Sequence, residues 1–308
     1  MTSDAATRQL CSRAVLGAVD WDIVSAGRVL RVSAAADLAD RWPELSRHVT
    51  AEELRAAASG PARSQGGARV ATPALGPISS ADLRRRLNAL LHCLHLGGRT
   101  LTVHGVAMRR DDRAVVLLGG HGAGKTLVGL ALALRGWGAL AGDAVLMELS
   151  APIGPARLVG GSTAFLARPA AVLRWFSQLG FAFSPAAQRV DLVDNGLVAK
   201  APFEGISGVA AVLVDVDGDP RIATDADVEA LEGHTGASLW YGASGHVLDR
   251  VLDDVGGPPL RVLETPELAR TRLTVTSELA VLCPVTLVRG SPHAIAAAVH
   301  HLTDEGSL

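Results

Sequence analysis

Residues Gly119 to Thr126 read Gly-Gly-His-Gly-Ala-Gly-Lys-Thr, and no other stretch constrains the chain as strongly. An apolar run, Ala114 to Leu118 (AVVLL), precedes them, and an apolar helical stretch, Lys125 to Leu134, comes after. Glycines placed between a strand and a helix let successive main-chain N–H groups converge on an anion with no side chain in the way. The start of the helix adds its positive end at the same point. The spacing G-x-x-x-x-G-K-T therefore implies a strand-loop-helix unit that grips phosphate, and with it an α/β architecture. In that chemistry Gly119, Gly120, His121, Gly122, Ala123 and Gly124 form the cradle. Lys125 neutralises the β- and γ-phosphates, and the Thr126 hydroxyl ligates Mg2+. The ligands this implies are ATP, or another nucleoside triphosphate, and Mg2+. A Gly-rich turn that binds nothing is the bland alternative.

The basic residues sharpen the reading. Of 29, only Lys125 and Lys200 are lysines and 27 are arginines. The bias fits a GC-rich coding sequence, and it makes a lysine inside the loop pattern hard to ascribe to composition. Asp143 ends the short apolar run Gly138–Ala141 and lies seventeen residues after Thr126, the place for a carboxylate that positions the metal. A turn-capping Asp is its alternative.

Other function classes fall away. A net charge of -2 gives no broad reason to expect nucleic acid or an anionic membrane as partner. No run of eighteen apolar residues predicts a membrane span, and the N-terminus lacks the basic-then-apolar pattern of a secretory signal. Cys11, Cys93 and Cys283 are odd in number and far apart, which predicts reduced thiols and a cytoplasmic protein.

Along the chain, Arg28 to Val32 reads as a strand and Ala51 to Ala58 as a short helix, with Trp42-Pro43 ending whatever precedes it. Residues Ser59 to Ser80, rich in Gly, Pro, Ser and Ala, read as a linker. They divide a small N-terminal α+β segment (1–80) from a catalytic domain (81–308). Ser80 and Asp82 open a helix carrying Leu83, Leu87, Leu90, Leu91 and Leu94, which Gly97-Gly98 stops. Strands are expected at Thr100–Val106, Ala114–Leu118, Gly138–Asp143, Val145–Leu149, Gly208–Asp215 and Val281–Arg289. Helices are expected at Lys125–Leu134, Pro169–Leu179, Asp225–Leu231, His246–Val255 and, capped by Ser291, from Pro292 to Leu302.

The order of Val103-His104-Gly105-Val106, the strand Ala114–Leu118, GGHGAGKT and Gly138 to Val145 (GALAGDAV) resembles the HPr kinase/phosphorylase family, itself related to phosphoenolpyruvate carboxykinase. The resemblance covers roughly Leu83 to Leu149. It implies a P-loop core with a mixed β-sheet flanked by helices, and transfer of a γ-phosphoryl group to a hydroxyl. It also implies that His104 lies beside the transferred phosphate and that Asp143 matches the second, metal-associated Asp of the family's Ala-Asp-Asp. Gly142 stands where the family has its first Asp, the base for the attacked hydroxyl. Either His104, His121 or a distant carboxylate replaces that base, or transfer is lost. The family's run for recognising its carrier protein is also missing, so HPr is not the expected acceptor. Shortened relatives occur in bacterial gene clusters for modified peptides, where they resemble kinases of serine hydroxyls. Family relatives are often homo-oligomers.

The expectation is thus an ATP- and Mg2+-dependent kinase, with His104, Lys125 and Asp143 as catalytic residues, acting on a peptide serine or a small hydroxyl metabolite. A nucleotide-binding regulator without transfer, or an ATPase, is the alternative. Lys200 and one of Arg157, Arg168 and Arg174 are further candidates for charge neutralisation. Three features read as structural: His92, Cys93 and His95 with His300-His301 lack zinc-ligand spacing, Asp215–Asp219 reads as a turn, and Ser244 lacks the setting of a nucleophile elbow.

Overall fold

The computed structural model describes residues 19–57, 78–150, 154–180, 183, 187–220, 222, 225–254 and 259–304. Most of the expected linker falls outside them. Three strands, β1 (Val19–Ser25), β2 (Arg28–Ala34) and β3 (Glu53–Ala56), form an antiparallel sheet in the order β2-β1-β3. Helix α1 (Leu38–Leu45) lies between β2 and β3 in sequence. Helix α2 (Ser80–Leu96) closes this layer; its cap is Ser79 and not Ser80, the Ser79 hydroxyl accepting from the Asp82 amide. Leu83, Leu87, Leu90, Leu91 and Leu94 bury against Ile23, Leu30, Val32 and Leu38. That leucine row therefore joins the N-terminal sheet to the rest of the molecule.

The central sheet takes strands β5 (Val106–Arg110), β6 (Arg113–Leu118), β7 (Gly138–Ala141), β12 (Gly208–Val216), β13 (Asp227–Ala230) and β14 (Val285–Gly290) in the order β13-β14-β12-β6-β5-β7. The pairs β6–β12 and β12–β14 are parallel; β5–β6, β5–β7 and β13–β14 are antiparallel. The sheet is mixed, as the resemblance implies. A second sheet, β4 (Thr100–His104), β8 (Ala144–Leu149) and β9 (Ala156–Gly161), is antiparallel in the order β4-β8-β9. A small ribbon pairs β10 (Leu166–Ala167) with β11 (Val190–Asp191).

Side chains of β6 alternate between two cores, as strand geometry requires. Val115 and Leu117 join helices α3 (Lys125–Ala133), α4 (Pro169–Trp175) and α7 (Pro292–Asp304) on one face. Ala114, Val116 and Leu118 join the second sheet, Trp240 of α5 (Gly233–Gly245) and Val275 and Leu279 of α6 (Pro266–Leu282) on the other. Burial on both faces is why this strand is a continuous apolar run. The result is an α/β protein with a mixed sheet flanked by helices and a small N-terminal α+β segment. Among the described residues, no helix is long and apolar enough to cross a membrane.

Five further expectations are corrected. Residues 53–56 pair with β1 as an edge strand and are not helical, because main-chain pairing outweighs the helix propensity of Glu, Leu and Ala. Pro43 lies inside α1 and does not end it; burial of Leu38 and Leu45 at the two ends holds the helix together. Asp227–Ala230 is an edge strand beside β14, not a helix. Of the helix expected over His246–Val255, the described residues 246–254 are not helical; the helix lies before them, in the Gly-rich stretch Gly233–Gly245. Val281 and Leu282 close helix α6, which Thr265 caps and Pro266 opens, and the strand starts only after Pro284. The last helix starts as expected, with Ser291 accepting from the Ala294 amide.

Leu87 is fully buried where α2 meets the N-terminal sheet. Leu87→Ala should lower unfolding free energy by about 2–5 kcal/mol, read as a shift of the urea midpoint with an unchanged slope.

Candidate functional site

Strand β6 delivers residues 119–124 at its C-terminal end, where α3 begins. Gly119, Gly122 and Gly124 have φ of 145°, 87° and 90°, values that side chains other than glycine rarely adopt. At Gly119 a Cβ would lie 2.9 Å from the Ala123 Cβ and 3.0 Å from the Val214 carbonyl oxygen; at Gly124 it would lie 2.6 Å from the Val216 Cβ. The Ala123 amide donates to the Gly120 carbonyl at 3.3 Å, and the Val216 amide donates to the Ala123 carbonyl at 3.2 Å, tying the loop to β12. No acidic residue stands in the first turn of α3, so its positive end is free for an anion.

Beside the loop is a cleft of about 440 Å³, within the range of small-ligand sites. His121, Gly122, Gly124, Lys125, Thr126, Gly142, Asp143 and His104 line it. The sequence-derived site thus comes together in one place, with Gly119, Gly120 and Ala123 shaping the loop from behind. Lys125 Nζ donates to the carbonyls of Gly119 at 2.8 Å and Gly120 at 3.0 Å, and reaches His104 Nε2 at 3.1 Å. His104 Nδ1 lies 3.2 Å from the Asp143 carbonyl oxygen and 3.4 Å from its carboxylate. Both contacts suit a proton on Nδ1, which leaves the Nε2 lone pair to accept from lysine. The result is a chain: Asp143, His104, Lys125, phosphate loop.

Burial lowers the Lys125 ammonium to about 8, against the attraction of Asp143. Crowding by protein pushes the Asp143 carboxyl up, but the His104 hydrogen bond and the nearby cations prevail and hold it at about 2. The carboxylate is 71% exposed to the solvent in the cleft. His246 stacks on His104, ring centroids 4.0 Å apart and planes 18° from parallel. Burial, then His104 and Arg250, lower His246 to about 4. His121, exposed on the loop, is lowered mainly by burial and then by Arg189 and Arg250.

Gly142 has a steric explanation. A Cβ there would overlap the Ala164 carbonyl group, with the carbonyl carbon at 2.7 Å and the Phe165 Cα at 2.8 Å. The segment 162–165 is fixed in that place. Gly142 donates to the Ser162 carbonyl at 3.0 Å, Ala144 to the Ser162 hydroxyl at 3.0 Å, and Ala164 to the Arg47 carbonyl at 2.8 Å. The Phe165 ring packs where Gly129 leaves α3 without a side chain. The backbone of this segment fills the space a carboxylate at 142 would need.

Some candidates lie elsewhere. Lys200 is exposed beside β7 and does not line the cleft. Of the three arginines, Arg168 lines the cleft; Arg157 borders a separate hollow and Arg174 donates to the Gly218 carbonyl. Ser244 is buried within α5 and donates to the Tyr241 carbonyl. His92 and His95 are buried, each lowered by burial to about 3, and His95 pairs with the Ser25 hydroxyl at 2.8 Å. Among the described residues there is no group of three or more His, Cys, Asp or Glu that could hold a metal ion. The sequence did not single out His48, Arg84, Arg189, His246 and Arg250, which complete the cleft wall. Only the triple arginine at 84–86, on a helix otherwise patterned in leucine, hinted at one of them.

No family model matches the chain, and neither does any curated protein. Among solved structures, the chain is similar to the Hpr(Ser) kinase/phosphatase from Coxiella burnetii. The match covers 67% of this chain and 95% of that one, at 11% identity and a TM-score of 0.26.

Gly142→Ala should cost about 1–3 kcal/mol through overpacking, seen as a lower melting temperature. A variant as stable as the parent would show that the 162–165 segment yields easily.

Proposed function

We propose that the protein is a nucleoside-triphosphate-dependent phosphotransferase that moves a γ-phosphoryl group to a hydroxyl acceptor. The observation that carries this reading is the hydrogen-bonded chain from Asp143 through His104 to Lys125 at the mouth of the glycine loop. Phosphoryl transfer asks for positioning and charge neutralisation; the loop amides, the helix end and Lys125 offer both. When phosphates draw Lys125 off the Gly119 and Gly120 carbonyls, His104 Nε2 is left with a free lone pair facing the cleft. The acceptor oxygen then bonds to the γ-phosphorus while the bond from that phosphorus to the β,γ-bridging oxygen breaks, its electron pair leaving with the nucleoside diphosphate. The hydroxyl proton passes to Nε2, and Asp143 stabilises the imidazolium. His104 with Asp143 thus takes the role that a carboxylate at 142 cannot fill. His246, held neutral, orients the His104 ring by stacking without adding a competing charge.

Thr126 and the open Asp143 carboxylate line the same cleft and offer the hard oxygen donors that Mg2+ prefers. With so few protein donors, the remaining ligands would be phosphates and water, the usual pattern for that ion. A bound Mg2+ would supply charge neutralisation across the β- and γ-phosphates. The acceptor is a serine side chain of a peptide or a small hydroxyl metabolite. A second reading, a nucleotide-binding regulator, is favoured by Gly142 alone.

The test is incubation with γ-labelled ATP, Mg2+ and serine-containing peptides or small hydroxyl compounds. Transfer should be lost in Lys125→Ala, and lost in His104→Ala with nucleotide binding retained. Binding without turnover in the parent protein would favour the regulator. Transfer persisting in Lys125→Ala would refute the site.

Lys125 gives a pH signature. With its ammonium near 8 in the free protein, and bound phosphates raising that value, the complex holds the extra proton more tightly. ATP affinity should therefore be level below about pH 8 and fall above it, with net proton uptake on binding near pH 8.5. Calorimetry in buffers of different ionisation enthalpy reads this directly. Proton release at that pH would contradict it.

A further inference from the structure

Besides Arg85 and Arg168, the exposed residue at the start of α4, the cleft wall carries three arginines once the phosphate loop and the Asp143–His104 pair have been assigned. Arg84 projects from α2, half-buried; Arg189, just before β11, and Arg250, in the turn after α5, stand exposed at the rim. Arg84 and Arg189 make no hydrogen bond or ion pair among the described residues, and the contact of Arg250 is the His246 ring nitrogen at 2.7 Å. Their neighbour Arg85 differs: Asp82 and Asp253 each hold it at 2.6 Å. Among the described residues, Asp143 is the one carboxylate lining the cleft.

Such an arrangement is unfavourable when empty. Arg84 is lowered by burial; Asp143, the nearby charge that acts on it most, opposes this, and Arg85, Arg189 and Arg250 add to the lowering. His48, from the N-terminal segment, is lowered by burial and next by Arg84. Like charges that outnumber the one carboxylate beside them in a concave wall mark a place for an anion. The nucleotide's phosphates already have the loop amides, the end of α3 and Lys125. The arginines come from three elements outside the loop, and two of them also bear on His121, the exposed histidine of the loop. They therefore stand where an acceptor would approach.

We infer that the acceptor carries a phosphomonoester of its own, seated on Arg84, Arg189 and Arg250, beside the hydroxyl that is phosphorylated. Guanidinium forks match phosphate oxygens two at a time. A phosphomonoester brings about -1.5 to -2 charges at neutral pH, which a single carboxylate does not. The anchored group is unchanged in the reaction and sets the distance of the hydroxyl from His104. This inference rests on the phosphotransferase reading for the word acceptor, but the anion seat stands on the arginines alone.

The experiment separates the two. Full-length protein is saturated with a non-hydrolysable ATP analogue and Mg2+, so that the loop is filled. Binding of glycerol 3-phosphate, O-phosphoserine and a phosphoserine peptide is then measured by equilibrium dialysis against their dephosphorylated counterparts. At least one phosphorylated probe should bind saturably and about tenfold or more tighter than its counterpart. Arg84→Gln should remove about tenfold of that affinity, Arg84→Lys should restore part of it, and affinity for the ATP analogue should change by less than about twofold. Preference for the small probes would place the phosphate on a metabolite, and preference for the peptide on a protein segment; either supports the seat. Absence of saturable binding by all three, equal binding of the dephosphorylated probes, or a parallel loss of analogue affinity in Arg84→Gln would overturn it. Arginine-dependent binding with no transfer to any acceptor would leave the seat in place and refute the phosphotransferase.

Discussion

Everything at the site depends on one strand being buried from both sides. Arg113–Leu118 is hydrogen-bonded to β5 on one edge and β12 on the other, and its alternate side chains enter two separate cores. A strand so confined cannot shift register without moving a full set of side chains to the wrong face. Its C-terminal end therefore presents the glycine loop at a fixed height above the sheet, the usual place for a ligand in α/β proteins. The loop is tied down once more where Val216 of β12 packs over Gly124 and donates to Ala123. Position, more than the glycines themselves, makes the cradle usable.

A second constraint acts at Gly142. The backbone of 162–165 lies so close that position 142 admits no side chain, while the same segment accepts from Gly142 and Ala144 on either side of Asp143. Asp143 is thereby aimed at His104, and His104 at Lys125. Loss of a carboxylate at 142 and firm placement of the next residue are thus two results of one packing decision. The N-terminal segment takes part, because Arg47 accepts from Ala164 through its carbonyl and reaches Asp191 at 2.6 Å and Asp194 at 2.5 Å through its guanidinium. His48, next in sequence, is carried to the cleft wall by that docking.

What could be read in the sequence was local. The loop, the capped helix Ser80–Leu96, the strand AVVLL and the final helix from Pro292 each announce themselves within a few residues, by caps, glycines or an unbroken apolar run. Asp143 was legible as a carboxylate ending a short apolar run downstream of the loop, and His104 because a resemblance in order drew attention to it. The edge strands at 53–56 and 227–230 were not, since their state is set by hydrogen bonds to β1 and β14 rather than by their own side chains. Helix Gly233–Gly245 was hidden by four glycines, among which Gly245 leaves room for the guanidinium groups of Arg261 and Arg272. Arg84, Arg189 and Arg250 are spread over more than 160 residues in a chain with 27 arginines; only the fold singles them out.

The same arginines explain how the cleft can be both costly and stable. The arginines repel one another through the cleft, and the solvent that fills it keeps the cost low. Water also screens Asp143, which remains open to it. A ligand that excludes this water while bringing negative charge reverses the sign of the term: repulsion among cations becomes attraction to an anion in a drier site. Much of its binding free energy would then come from relief of repulsion already present in the empty protein, and that relief adds to the stability of the fold. The half-buried Arg84 is the residue at which this exchange is largest, because it has least solvent to begin with and its helix is locked into the N-terminal core by the leucine row.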